Sequence, residues 1–233
     1  MKNKIILSFT ILLGFSSLHA QQVVVRQQGG TSKTAKRKTV DRNVENYNAF
    51  KFDPLRMTIG EINFSWEKRI DDKISVEFEL GPTISNLGGN RFFFDSFNQY
   101  QVNSRMGGLV SAAVRYYPLE GSWAMNKLYI SPRLKYRRYN SEYTALDLPL
   151  PNQTAYSNET MFTFNVGYQQ WLSDNFAFDY YIGLGIGGYR ATNYTMNSIY
   201  NGNTQQYDYS WKKNTDNYTK LIGVIGMKIT IGN

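Results

Sequence analysis

Across most of this chain, apolar side chains recur at every second position. Ile62, Phe64 and Trp66 alternate with Glu61, Asn63, Ser65 and Glu67. Ile74, Val76, Phe78 and Leu80 alternate with Ser75, Glu77 and Glu79. The same beat runs through Val110 to Tyr116, Leu128 to Tyr136, Phe162 to Tyr168, Phe176 to Ile186 and Leu221 to Ile231. Successive side chains of a β-strand point to opposite faces, so each segment has one apolar face and one polar or small one. A period of two over seven segments rules out a helical fold. The segment length, about ten residues, is what a tilted strand needs to cross a bilayer.

The connections alternate in length. Short turns are expected at residues 70–73, 118–126 and 172–175, and long polar stretches at 85–104, 140–159 and 189–217. Short turns at one end and long loops at the other mark outer-membrane barrels, with the long loops outside. Both chain ends then belong on the periplasmic side, which requires an even number of strands. The eighth is placed at residues 47–58. Its apolar phase, on Leu55, Met57 and Ile59, slips by one at Gly60 before resuming at Ile62. A tight turn or a bulge would produce that slip, and the bulge would need an earlier strand near residues 23–26. The turn is preferred, although Pro54 removes a ladder donor. Asn201-Gly202, between two Tyr-rich stretches, predicts a hairpin turn that rises above the membrane surface. The expected fold is an all-β, eight-stranded antiparallel up-and-down transmembrane barrel over residues 46–233.

Two shorter regions precede it. Residues 1–20 read as a secretory signal peptide: Lys2 and Lys4, an apolar run over 5–15, and small residues up to Ala20. Residues 21–45 are polar and aperiodic and carry Arg26, Lys33, Lys36, Arg37, Lys38 and Arg42, which reads as a basic disordered periplasmic arm. Much of the formal net charge of +8 therefore belongs to the arm. Export makes nucleic acid an unexpected partner.

The residue inventory narrows the chemistry. There is no cysteine, and the one histidine, His19, lies within the expected signal peptide. Ser-His and Cys-His catalysis and His-based metal sites are thereby excluded from the mature chain. Glu77 and Glu79 share a strand face at roughly 7 Å, a spacing that glycosidases use. Nearby cations give the plainer reading. If the apolar faces meet lipid, then Glu61, Glu67, Glu77, Glu79, Arg115, Arg133, Lys135, Arg137, Asp179 and Lys228 point inward. Buried charges of both signs need one another. Eight strands enclose a space just wide enough for side chains to fill, so a plugged interior is expected rather than an open pore. Trp66, Trp123, Trp171 and Phe176 near the short turns, and Tyr139, Tyr189 and Tyr194 near the long loops, suit interfacial girdles. In the loops, Phe92, Phe93, Phe94, Tyr200, Tyr207, Tyr209 and Trp211 are candidates for contact with an extracellular protein or glycan.

The run from Phe52-Asp53-Pro54-Leu55 to Trp66-Glu67-Lys68-Arg69 resembles the opening of small outer-membrane barrels of unknown function from Bacteroidota, distant cousins of the OmpA/OmpX type. Arg115-Tyr116-Tyr117-Pro118-Leu119 and the stretch from Tyr129 to Arg137 are similar to their middle strands. The resemblance implies an eight-stranded barrel without known enzymatic activity. The reading is of a monomeric, non-catalytic, cofactor-free protein of the outer membrane with a structural or surface-interaction role. A narrow pore for small solutes and a soluble secreted binder of apolar ligands are the alternatives.

Overall fold

The computed structural model describes residues 47–84, 100–120, 123–146 and 148–232. The expected signal peptide and arm, and Phe92, Phe93 and Phe94, lie outside the described residues. Eight strands follow in order: β1 (Asn48–Asp53), β2 (Asn63–Asp71), β3 (Ile74–Ile84), β4 (Tyr100–Tyr116), β5 (Lys127–Ala145), β6 (Gln153–Trp171), β7 (Phe176–Asn201) and β8 (Gln206–Gly232). Each pairs antiparallel with the next. β1 also pairs with β8, from Ala49↔Gly232 to Phe52↔Ile229, so the sheet closes into a ring. No helix among the described residues is long and apolar enough to cross a membrane, which leaves the question of strands open.

Polarity is reversed relative to a water-soluble fold. The side chains inside the ring are mainly charged, polar or glycine, among them Glu67 and Arg115, both fully buried. The outer face is apolar: Leu184 is 74% exposed and Leu221 87%. The two-residue alternation produces this directly, because the strand pleat sends odd and even positions to opposite sides.

Two expectations change. The first strand does not run through residues 47–58. It ends at Asp53, and Pro54–Ile59 forms a 3-10 turn pair. Pro54 starts that segment because its fixed φ suits a first helical turn, where no N–H is needed. The Asp53 side chain accepts from the Arg56 backbone N–H at 3.3 Å, and Gly60 ends the segment at φ 82°. The slip at Gly60 is thus a turn, as preferred, and eight strands stand. The segment packs against β8 and β2, with Leu55, Met57 and Ile59 exposed where the upper half of β1 would otherwise run.

The second change concerns the long stretches. Residues 100–104, 140–145 and 153–159 are strand rather than loop, and the hairpin expected about Asn201-Gly202 is the unbroken continuation of β7 and β8 through 189–201 and 206–217. β7 and β8 stay in register up to Asn201↔Gln206, making a two-stranded ribbon that outruns β6, whose pairing with β7 stops at Tyr156↔Thr192. The hairpin turn is where the sequence put it, but it spans four residues. Asn201 caps it, its side-chain oxygen accepting from the Asn203 N–H at 3.1 Å.

Candidate functional site

Among the described residues the interior brings carboxylates, Asp53, Glu61, Glu67, Glu77, Glu79, Glu159 and Asp179, against cations that include Lys51, Arg56, Arg115, Arg133, Lys135, Arg137 and Lys228. Their placement follows from register. Glu67 lies directly opposite Glu77 on neighbouring strands, a repulsive pair that needs cations between its members. Lys51 from β1 supplies one, at 2.5 Å from Glu67 and 2.7 Å from Asp179. Arg115 from β4 supplies the other, bonding Glu77 and reaching Asp179 at 2.7 Å. Arg133 bridges Glu77 and Glu79 at 2.5 and 3.1 Å, and Lys228 bridges the same two at 2.8 and 3.0 Å. Higher up, Lys135 joins Glu79 at 2.8 Å to Glu61 at 2.6 Å. Arg137 then joins Glu61 to Glu159. The ladder is continuous from the short-turn end to the long-connection end.

All ten charges assigned inward from sequence are brought together. Nine are buried, and Arg137, at the outer rung, is partly exposed. Sequence reasoning missed Lys51, Asp53, Arg56 and Glu159. Lys51 and Asp53 alternate with Phe50 and Phe52, so the signal was present. Glu159 is in phase with the inward Thr163 and Asn165 but falls in a stretch read as loop.

Buried tyrosines bond the ladder, Tyr117 and Tyr129 near the short turns and Tyr181 beside the 3-10 segment. Tyr117 donates to Glu67 at 2.7 Å and Tyr129 to Asp179 at 2.6 Å, with ring centroids 5.7 Å apart. Tyr181 donates to Asp53 at 2.7 Å. Two glycines make room for this layer. A Cβ on Gly167 would overlap the Tyr129 ring, and one on Gly226 would overlap Tyr181.

At the long-connection end the ladder becomes the floor of an open cup of about 380 Å³, lined by Ile59, Arg137, Tyr139, Ser157, Tyr189 and Asn193 among others. Register explains the hollow. Arg137, Glu159 and Tyr189 form one row across β5, β6 and β7, and Tyr139, Ser157 and Ala191 form the row above. Ser157 and Ala191, small side chains above Glu159 and Tyr189, leave a space beside Tyr139.

The loop candidates divide. Tyr200 and Tyr207 are exposed near the ribbon tip, with ring centroids 5.4 Å apart, and Tyr209 lies beside Tyr207. Trp211 is half-buried. Its ring meets Tyr100 at 5.6 Å and Tyr143 at 6.2 Å, and its indole N–H donates to the Pro151 carbonyl at 2.9 Å. It anchors the ribbon to the rim formed by β4 and β5.

Chemically, the ladder holds its carboxylates in ion pairs. Glu77 and Glu79 share Arg133 and Lys228 and are buried, which does not suit an acid and base pair that must reach a substrate. Among the described residues, no group of three or more His, Cys, Asp or Glu is arranged to hold a metal. No protein-family model, curated protein or solved structure matches the chain.

Proposed function

We propose that this chain is a non-catalytic β-barrel of the bacterial outer membrane, plugged by its own charges, whose outward ribbon and connections serve surface interaction. The observation that carries the reading is the reversed polarity: an apolar belt outside and an ion-pair ladder inside. On β7 the outward apolar positions span residues 176–186. At ~3.3 Å per residue and a tilt of roughly 40°, that is about 25 Å, the height of the lipid-facing band of such barrels. Water would make this surface costly, and lipid would make it favourable. The resemblance to small OmpA/OmpX-like barrels of Bacteroidota belongs to the same proposal, as do a secreted precursor, a monomeric state and partners limited to lipid and an extracellular protein or glycan.

Heat modifiability in isolated outer membranes tests it. The mature protein should run faster on a denaturing gel unboiled than boiled, and should require detergent for extraction. A single band, with the protein in the soluble fraction, would overturn the membrane reading. Planar-bilayer recording then separates plug from pore. The filled interior predicts no steady conductance, and reproducible openings would favour a solute pore instead.

A further inference from the structure

We infer that the outer cup is a binding site for a neutral sugar unit. The cup stands on the wall of the ring itself and does not depend on what surrounds the protein.

Its volume, about 380 Å³, lies at the small end of the range for small-molecule sites. It is closed below, because Arg137 bonds both Glu61 and Glu159 across the ring. A ligand would therefore enter and leave by the same mouth. Every charge around the floor already has a partner of the opposite sign. Glu61 faces Lys135 and Arg137, and Glu159 faces Arg137 and also Lys220 at 2.8 Å. An anion would compete with Glu61 and Glu159 for Arg137, and a cation would compete with Lys220 for Glu159, so a charged ligand gains less here than at unpaired groups.

Hydrogen-bonding capacity remains. A guanidinium has five N–H donors, and Arg137 commits three of them to Glu61 and Glu159, one bond each from Nε, Nη1 and Nη2. Tyr139 donates its O–H to the Ile59 carbonyl at 3.1 Å, which leaves its oxygen able to accept. Ser157 and Asn193 add a hydroxyl and an amide to the wall. Tyr189 contributes a ring held in position by Tyr218, at 4.8 Å between centroids, and by the Lys220 ammonium 5.1 Å from its centroid. A fixed aromatic ring beside donors and acceptors, with the charges already paired, matches a pyranose. Such a sugar has one C–H face to lay on a ring and a rim of hydroxyls that both donate and accept. Tyr, Ser and Asn are the residue types that adaptable polar recognition uses.

The test is saturation-transfer NMR on the folded mature protein, held in a detergent without a sugar headgroup. The probes are the methyl pyranosides of glucose, galactose and mannose, with glucuronate as the charged counterpart. At least one neutral glycoside should receive saturation. Ser157→Trp, which fills the hollow, should abolish the transfer, and Asn193→Ala should weaken affinity about tenfold, as expected for one lost hydrogen bond. If Ser157→Trp loses its fast unboiled gel band, Asn193→Ala decides alone. No transfer to any neutral probe, transfer untouched by the deciding variant, or tighter binding of glucuronate would each overturn the assignment.

Discussion

Arg115 shows what a single residue does in this interior. It is fully buried, bonds Glu77 and Asp179, and its guanidinium lies 4.2 Å from the centroid of the Tyr129 ring. Removing it leaves the buried cluster one positive charge short, with Asp179 paired to Lys51 and Glu77 to Arg133 and Lys228, which costs more than the pair contributed when intact. Arg115→Ala should therefore lower unfolding stability by about 3–5 kcal/mol in a urea titration in lipid vesicles. Lys51→Ala should behave similarly, because Glu67 and Asp179 also depend on it. The glycines offer a second residue-scale test with an internal control. Gly226→Ala would push Tyr181 off Asp53 and should cost about 1–3 kcal/mol. At Gly223 a Cβ would meet only Leu184 at 3.9 Å, so Gly223→Ala should be close to neutral. Most of the charged ladder was legible in sequence, since a carboxylate or guanidinium in phase with glycine and opposite an apolar stripe has one place to go. Lys51 was missed for a local reason. Pro54 interrupts the alternation, and the phase was taken from Leu55 onward, beyond the strand's end.

Elements tell a different story about legibility. Where a strand has lipid or apolar packing on one side and the interior on the other, the two faces differ and the period shows. In the upper strand ends the two faces differ less in polarity, so residues 140–159 read as loop, and of the ribbon of β7 and β8 only a hairpin about Asn201-Gly202 was legible. The outer cup was missed for the same reason, being built from the polar upper ends of β5, β6 and β7. The 3-10 segment was hidden because its exposed Leu55, Met57 and Ile59 happen to be spaced by two, as in a strand. Its weak point is Gly60, whose φ of 82° and close approach to the Ile84 carbonyl leave no room for a Cβ. Gly60→Ala should destabilise the fold by about 1–3 kcal/mol, read by the same urea titration. Trp211 holds the ribbon down. Trp211→Ala should make the ribbon turn a site of limited proteolysis while the unboiled gel band of the ring persists.

On the scale of the whole molecule, the ladder spans the interior with hardly any solvent exposure, so dissolved ions have little access to it. Screening acts on exposed charges and much less on buried ones. Raising salt from roughly 0.1 M to 1 M should therefore move the unfolding free energy by less than about 0.5 kcal/mol, despite the density of ion pairs. A large shift would mean that electrolyte enters the ring, and would favour the pore.

The narrow seam between β1 and β8 has a consequence for how the molecule comes to exist. All the other pairings join strands adjacent in sequence, so hairpins zip up locally and quickly. Among the described residues the seam alone joins the first strand to the last, through the four pairs from Ala49↔Gly232 to Phe52↔Ile229. Closure is then the late step, bearing nearly all of the loop entropy. Until it happens the sheet has two raw edges that invite pairing with other chains. A nascent sheet of this design is most vulnerable just before it closes, and four residue pairs decide between a ring and an aggregate.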